Sequence, residues 1–170
     1  MYDSRLYVTF VCTGNICRSP MAEKIFAHQL AARGLARRVR VNSAGTRNWF
    51  TGQPADPRAV NVLAAQGYPT DHCVTQVSND HLRADLIVAL ARKHAWRVLY
   101  LGAERERVRL LRSFALSVGR AVPDVEDPYY GTLEDFEEVL KVIESAMPGV
   151  HRWVDAALAA RAKPGGGLHS

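Results

Sequence analysis

The sequence predicts an α/β protein, a three-layer sandwich in which a four-stranded parallel sheet is flanked by helices on both faces. Three observations lead there: four short apolar runs rich in β-branched and aromatic residues, stretches of helical apolar spacing between them, and turn or cap residues at the junctions. Strands that alternate with helices pair in parallel through right-handed crossovers. A chain of 170 residues closes one ordinary core without staples. It reads as one domain over 1–162, followed by a disordered tail from Lys163 to Ser170 that holds three consecutive glycines.

The first run, Arg5 to Val11, puts Leu6, Tyr7, Val8, Phe10 and Val11 in a buried strand that breaks at Cys12-Thr13-Gly14-Asn15. Ser19 is suited to cap the following helix and Pro20 to occupy its first position. Met21, Ala22, Ile25, Phe26 and Leu30 then recur at helical spacing until Gly34. The unit repeats: Val39 to Val41 is a second strand, a long loop follows, and Asp56-Pro57 starts a helix carrying Val60, Leu63 and Ala64 before Gly67. Ala84 to Leu90 is the third strand, with a helical stretch after it that ends near Gly102, and Val108 to Phe114 is the fourth. Thr132 opens a last helix with Leu133, Phe136, Leu140, Ile143 and Met147 in phase. Pro148 should kink or divide it, and Val150, Trp153, Val154, Ala157 and Leu158 continue the apolar face beyond.

Composition excludes several classes. With 48% hydrophobic and 23% charged residues the chain is globular rather than disordered. No apolar run is long enough for a bilayer span, and Met1 to Phe10 carries Asp3 and Arg5 in place of an apolar leader, so a cytoplasmic protein with no membrane partner is expected. The net charge of +5 is spread along the chain with no basic block, the densest group being Arg37, Arg38 and Arg40. A diffuse positive field suits phosphorylated ligands better than nucleic acid. Three cysteines cannot build a disulfide framework and are expected to be reduced. Nothing in the sequence demands more than a monomer.

Ligands of such sheets sit at the carboxyl ends of the strands, which directs attention to the loop after the first one. From Cys12 to Ser19 it reads Cys-Thr-Gly-Asn-Ile-Cys-Arg-Ser. Gly14 tolerates positive φ and Asn15 is the next most tolerant residue type, so the amides of Thr13, Gly14, Asn15, Ile16 and Cys17 can turn inward. Together with the positive end of the helix they form a nest for a dianion such as phosphate. A Cys in that nest, next to Arg, favours the thiolate. The planar fork of Arg18 can hold two phosphoryl oxygens, and Ser19 is placed to hydrogen-bond the sulfur. Thiolate, cradle and clamp describe attack on phosphorus through a cysteinyl-phosphate. A metal site would need two ligands beyond Cys12 and Cys17, and only Cys73 and scattered histidines remain, so neither metal nor cofactor is expected.

Hydrolysis of a phosphate ester also needs an acid for the leaving oxygen. Asp127, in Glu126-Asp127-Pro128-Tyr129-Tyr130-Gly131 after the fourth strand, lies on the same sheet edge as Cys12 and can serve first as acid and then as base to water. Tyr129 and Tyr130, with Trp49 from the loop after the second strand, can wall a slot deep enough for an aryl phosphate.

The run Val11-Cys12-Thr13-Gly14-Asn15-Ile16-Cys17-Arg18-Ser19-Pro20-Met21-Ala22-Glu23, with Asp127-Pro128-Tyr129-Tyr130-Gly131, resembles the low-molecular-weight protein tyrosine phosphatases, and among them the mycobacterial type. The resemblance runs from Leu6 to Leu158. It implies the phosphotyrosine phosphatase I-like fold, phosphotyrosine-containing proteins as substrates, Cys12 as nucleophile, Arg18 as clamp, Asp127 as general acid and Ser19 as partner of the thiolate. It also implies that Asn15, Ser43 and His72 support the loop from behind. In this family the second loop cysteine, here Cys17, can trap an oxidised Cys12 as a disulfide; a helix-start residue chosen for its size is the other reading of Cys17. Tyr129 and Tyr130 are targets of a tyrosine kinase in some relatives. The chain departs from the pattern at Ala91, where many relatives have an acidic residue, at Ala115-Leu116, where they have Asp-Pro, and at Cys73, where a basic residue is common.

Two other functions compete. An arsenate reductase of the same fold has a similar first loop but relays a disulfide through further cysteines, and only Cys73 lies outside the loop here. A non-catalytic phosphate- or flavin-binding module could use a Thr-Gly-Asn loop, but binding alone explains neither Cys12 with Arg18 nor Asp127.

Overall fold

The computed structural model describes residues 2–115 and 120–163. Four parallel strands, β1 (Leu6–Cys12), β2 (Val39–Gly45), β3 (Leu86–Ala89) and β4 (Val108–Leu110), lie in the order β2-β1-β3-β4. Every residue of β1 is buried, as a central strand covered on both faces requires. Its alternation sorts the layers: Leu6, Val8, Phe10 and Cys12 face a large core with α1 (Arg18–Ala32), α2 (Pro57–Ala65) and α5 (Leu133–Ala162). Tyr7 and Val11 face a smaller one with Leu82 of the short α3 (Asn79–Leu82) and Val98 of α4 (Arg92–Tyr100). The predicted class therefore holds. The connection after β1 leads to one edge of the sheet and that after β3 to the other, so the β1 loop opens at the topological switch point.

Asp56 caps α2 as predicted, accepting the Arg58 N–H at 2.9 Å ahead of Pro57. Thr132 caps α5 in a reciprocal box with Asp135. Other elements differ from the reading of the sequence. Ser19 is not a cap: α1 already begins at Arg18, the Met21 N–H bonds the Cys17 carbonyl at 3.1 Å, and the Ser19 side chain turns to the loop. The second strand runs on to Gly45, the third narrows to Leu86–Ala89, and α3 carried no usable period in its four residues. The fourth strand stops at Leu110, because Leu111–Phe114 coils into a 3₁₀ turn that buries Leu111 and Phe114. The helical run of α5 passes through Pro148 undivided. Gly149 explains the tight packing there: a Cβ on it would fall well inside contact of the Phe114 carbonyl. Leu116 and residues 164–170 of the expected tail lie outside the described residues.

Candidate active site

The loop from Thr13 to Cys17 joins β1 to α1 with Asn15 at φ 57°, the left-handed conformation for which the sequence supplies Asn. Gly45, on the neighbouring strand, lets the loop approach: a Cβ there would meet the Thr13 carbonyl oxygen at 2.7 Å. Thr46 and Arg47 then donate their amides to the carbonyls of Cys12 and Thr13 at 2.9 and 3.0 Å. The loop's carbonyls are thus tied outward. Among the described residues its amides from Thr13 to Ser19 have no protein acceptor, as an anion nest requires.

Behind the loop the hydrogen bonds have one direction. The Asn15 amide donates to Ser19 Oγ at 2.8 Å and Ser43 Oγ at 2.9 Å, and Ser43 donates onward to Glu23 at 2.7 Å. Since Ser19 Oγ already accepts from Asn15, its own proton is free for Cys12 Sγ, 2.9 Å away. Asn15 itself is fixed by the Thr75 amide on Oδ1 at 3.1 Å and by His72, whose Nε2 donates to the Asn15 carbonyl at 2.9 Å. Burial lowers the His72 pKa, in opposition to that hydrogen bond.

Arg18 is 3% exposed. One guanidinium nitrogen donates to the Val125 carbonyl at 2.9 Å, and the other lies 3.5 Å from Asp127 Oδ2. A buried cation whose nearest carboxylate stands that far off is incompletely compensated, and a bound dianion would complete it. Asp127 is tethered by the Tyr129 amide on Oδ1 at 3.1 Å, which leaves Oδ2 toward the pocket. Cys12, Thr13, Gly14, Ile16, Cys17, Arg18, Trp49, Asp127, Tyr129 and Tyr130 line one pocket of about 180 Å³. Asn15, Ser19, Ser43 and His72 stand behind its floor rather than in it. Cys17 is buried, and burial first, with the Asp56 charge second, pushes its thiol far up, so it stays protonated.

Sequence reasoning missed four residues. Phe50 lines the pocket against Gly14. Arg58 donates to the Tyr129 and Gly131 carbonyls at 2.8 and 3.0 Å and so holds the Asp127 segment to α2. Glu23 terminates the Asn15–Ser43 relay. His94, 1% exposed, bonds Thr13 Oγ1 through Nε2 at 2.8 Å, while its buried Nδ1 has no partner among the described residues. Burial, followed by the nearby Arg18 charge, lowers its pKa to about 3. Only Glu23 had a signal in the sequence, as part of the run after the loop.

The family of low molecular weight phosphotyrosine protein phosphatases matches residues 7–161 as a sequence model, and the chain belongs to it. Low molecular weight protein-tyrosine phosphatase A of Mycobacterium tuberculosis is 64% identical over 91% of this chain and 94% of its own length. A low molecular weight protein-tyrosine-phosphatase of Streptomyces coelicolor is 47% identical over 84% and 90%. Among solved structures, the Bacillus subtilis protein YfkJ superposes with a TM-score of 0.82 at 30% identity, covering 91% of this chain and 97% of that one. A structure of the YwlE arginine phosphatase, with a phosphorylated active-site serine, gives 0.78 at 28% identity, covering 88% and 95%.

Proposed function

We propose that this phosphatase hydrolyses phosphotyrosine and other aryl phosphates in two steps. The Cys12 thiolate attacks phosphorus, the bond to the tyrosyl oxygen breaks, and Asp127 gives that oxygen its proton. Water then attacks the cysteinyl-phosphate, Asp127 takes up its proton, and the thiolate leaves with release of inorganic phosphate. The free amides of Thr13 to Ser19 and the fork of Arg18 stabilise the equatorial oxygens in both steps. The single observation that carries this reading is the buried, undercompensated Arg18 sharing a pocket with Cys12, whose sulfur lies 2.9 Å from Ser19 Oγ. Because a relative of the same fold is an arginine phosphatase, the loop does not choose the phosphoamino acid by itself. The pocket walls of Trp49, Phe50 and Tyr129 favour an aromatic ring.

The same reading makes the chain one catalytic domain over 1–162 that acts as a cytoplasmic monomer on phosphoproteins. Tyr130, 94% exposed at the rim, is accessible to a tyrosine kinase; Tyr129, packed against it, is 36% exposed. No helix among the described residues is long and apolar enough to cross a membrane.

The test is hydrolysis of p-nitrophenyl phosphate, phosphotyrosine, phosphoserine and phosphoarginine by wild type and Cys12→Ser, with a chelator present. Aryl-selective turnover that disappears in Cys12→Ser, while inorganic phosphate still binds, is expected. Turnover that survives the substitution overturns the covalent mechanism, and preference for phosphoarginine overturns the substrate.

A further inference from the structure

A second groove, of about 350 Å³, opens beside the pocket and shares Thr13 and Trp49 with it. One of its walls is a stripe of α4: Lys93, Trp96, Arg97 and Tyr100 recur at the three- and four-residue spacing that places side chains on one helix face. All four are exposed; His94, buried, lies at the floor of the groove next to Thr13, and Val98 is buried in the core. Arg47 and Trp49 form the other wall.

Two properties of the groove point to its occupant. The first is charge. Arg47, Lys93 and Arg97 line it, no carboxylate does, and none of the three has an acidic partner among the described residues. Arg92, next to Lys93 in the chain, is by contrast paired with Asp124. The second is exposed aromatic surface: Trp49, Trp96 and Tyr100 are 63%, 76% and 73% exposed. Aromatic and Arg side chains are the types that dominate binding hot spots, and three such rings along one groove are costly to leave in water. Length supplies a third constraint. The stripe from Lys93 to Tyr100 extends about 10 Å, which is the reach of about three residues of extended peptide.

We propose that this groove is a specificity subsite for acidic residues within about three positions of the phosphotyrosine in a protein substrate. Lys93, Arg97 and Arg47 pair the carboxylates, and Trp96 and Tyr100 pack on the peptide between them. The proposal rests on the phosphotyrosine reading of the neighbouring pocket, and it adds a class of substrate which that pocket alone does not select.

The experiment compares kcat/KM on two phosphotyrosine peptides, one with Asp and Glu flanking the phosphotyrosine and one with Ala in their place, beside p-nitrophenyl phosphate. Wild type should prefer the acidic peptide by about tenfold at low ionic strength, and the preference should shrink with added salt. Lys93→Glu with Arg97→Glu should remove it, leaving p-nitrophenyl phosphate turnover unchanged; both sites are exposed and outside the catalytic pocket. Trp96→Ala should lower kcat/KM on both peptides while the salt dependence persists. Equal rates on the two peptides in wild type, or a preference that survives the double charge reversal, overturns the subsite. Loss of all aryl phosphate turnover in wild type would instead remove the phosphotyrosine reading, a result visible without any peptide.

Discussion

Each candidate catalytic atom is held by a bond that points its other face into the pocket. Asp127 spends Oδ1 on the Tyr129 amide and keeps Oδ2 free, and Arg18 spends one nitrogen on Val125 and keeps the other. Asp127→Ala should therefore slow hydrolysis by about 10²–10⁴ for poor leaving groups and much less for good ones. The measurement is kcat across substituted phenyl phosphates, and an equal loss for every leaving group would contradict the acid role. Arg18→Lys should weaken phosphate binding and turnover together, because a single ammonium nitrogen cannot reproduce the planar fork that gives one nitrogen to Val125 and presents the others side by side to two phosphoryl oxygens; calorimetry with inorganic phosphate reads the first. Cys12 and Arg18 were legible in the sequence because they share one short loop, and Asp127 because its Asp-Pro-Tyr-Tyr-Gly run follows the fourth strand on the same sheet edge. Phe50, Arg58 and His94 were not, since each reaches the site only through packing of distant elements and sits in no recognisable run.

The elements show how the fold compensates for its own departures. Ala91 stands at the N-cap of α4, and its side chain has no acceptor for the first helix amides. Asp124, from the segment that leads to Asp127, supplies the missing acceptor, taking the Arg92 amide at 2.9 Å. That substitute cap ties α4 to the strand end, beside the Val125 amide on the Leu90 carbonyl at 2.8 Å. Asp124→Ala should cost about 1 kcal/mol by urea denaturation. It should also lower kcat, since Val125 anchors Arg18; a stability loss with unchanged turnover would separate the cap from the site. Gly149→Ala should cost more, about 1–3 kcal/mol, by forcing α5 off the Phe114 turn. Strand and helix identities were readable from periodicity, but the early end of β4 and the unbroken α5 were not. The early end of β4 goes with Phe114 packing beside Gly149, a contact between residues that no local window contains.

For the molecule as a whole, acid is the predicted weakness. His94 has a pKa near 3 in the folded protein against 6.5 for a free side chain. Between those values the unfolded chain binds a proton that the folded chain refuses. Stability therefore falls as pH drops through the window, by about 1.4 kcal/mol per pH unit where the difference is complete. His72, His81 and His151 are lowered too, each first by burial, and steepen the fall. Urea midpoints measured from neutral pH downward should decline in wild type and flatten in part in His94→Gln; a parallel decline in the variant would assign the effect elsewhere. The architecture also sets an order of events. Phe10 and Phe26, close to the beginning of the chain, share one core with Phe136, Leu140 and Ile143 of α5, and Arg161 reaches back to the Ser4 carbonyl and to Asp85, both at 3.0 Å. On the ribosome the β1–α1 loop is made well before α5 and has no finished core beneath it until that helix emerges. Synthesis and assembly thus run in opposite directions along the chain, and a nascent chain stalled before α5 holds a nucleophile it cannot yet use.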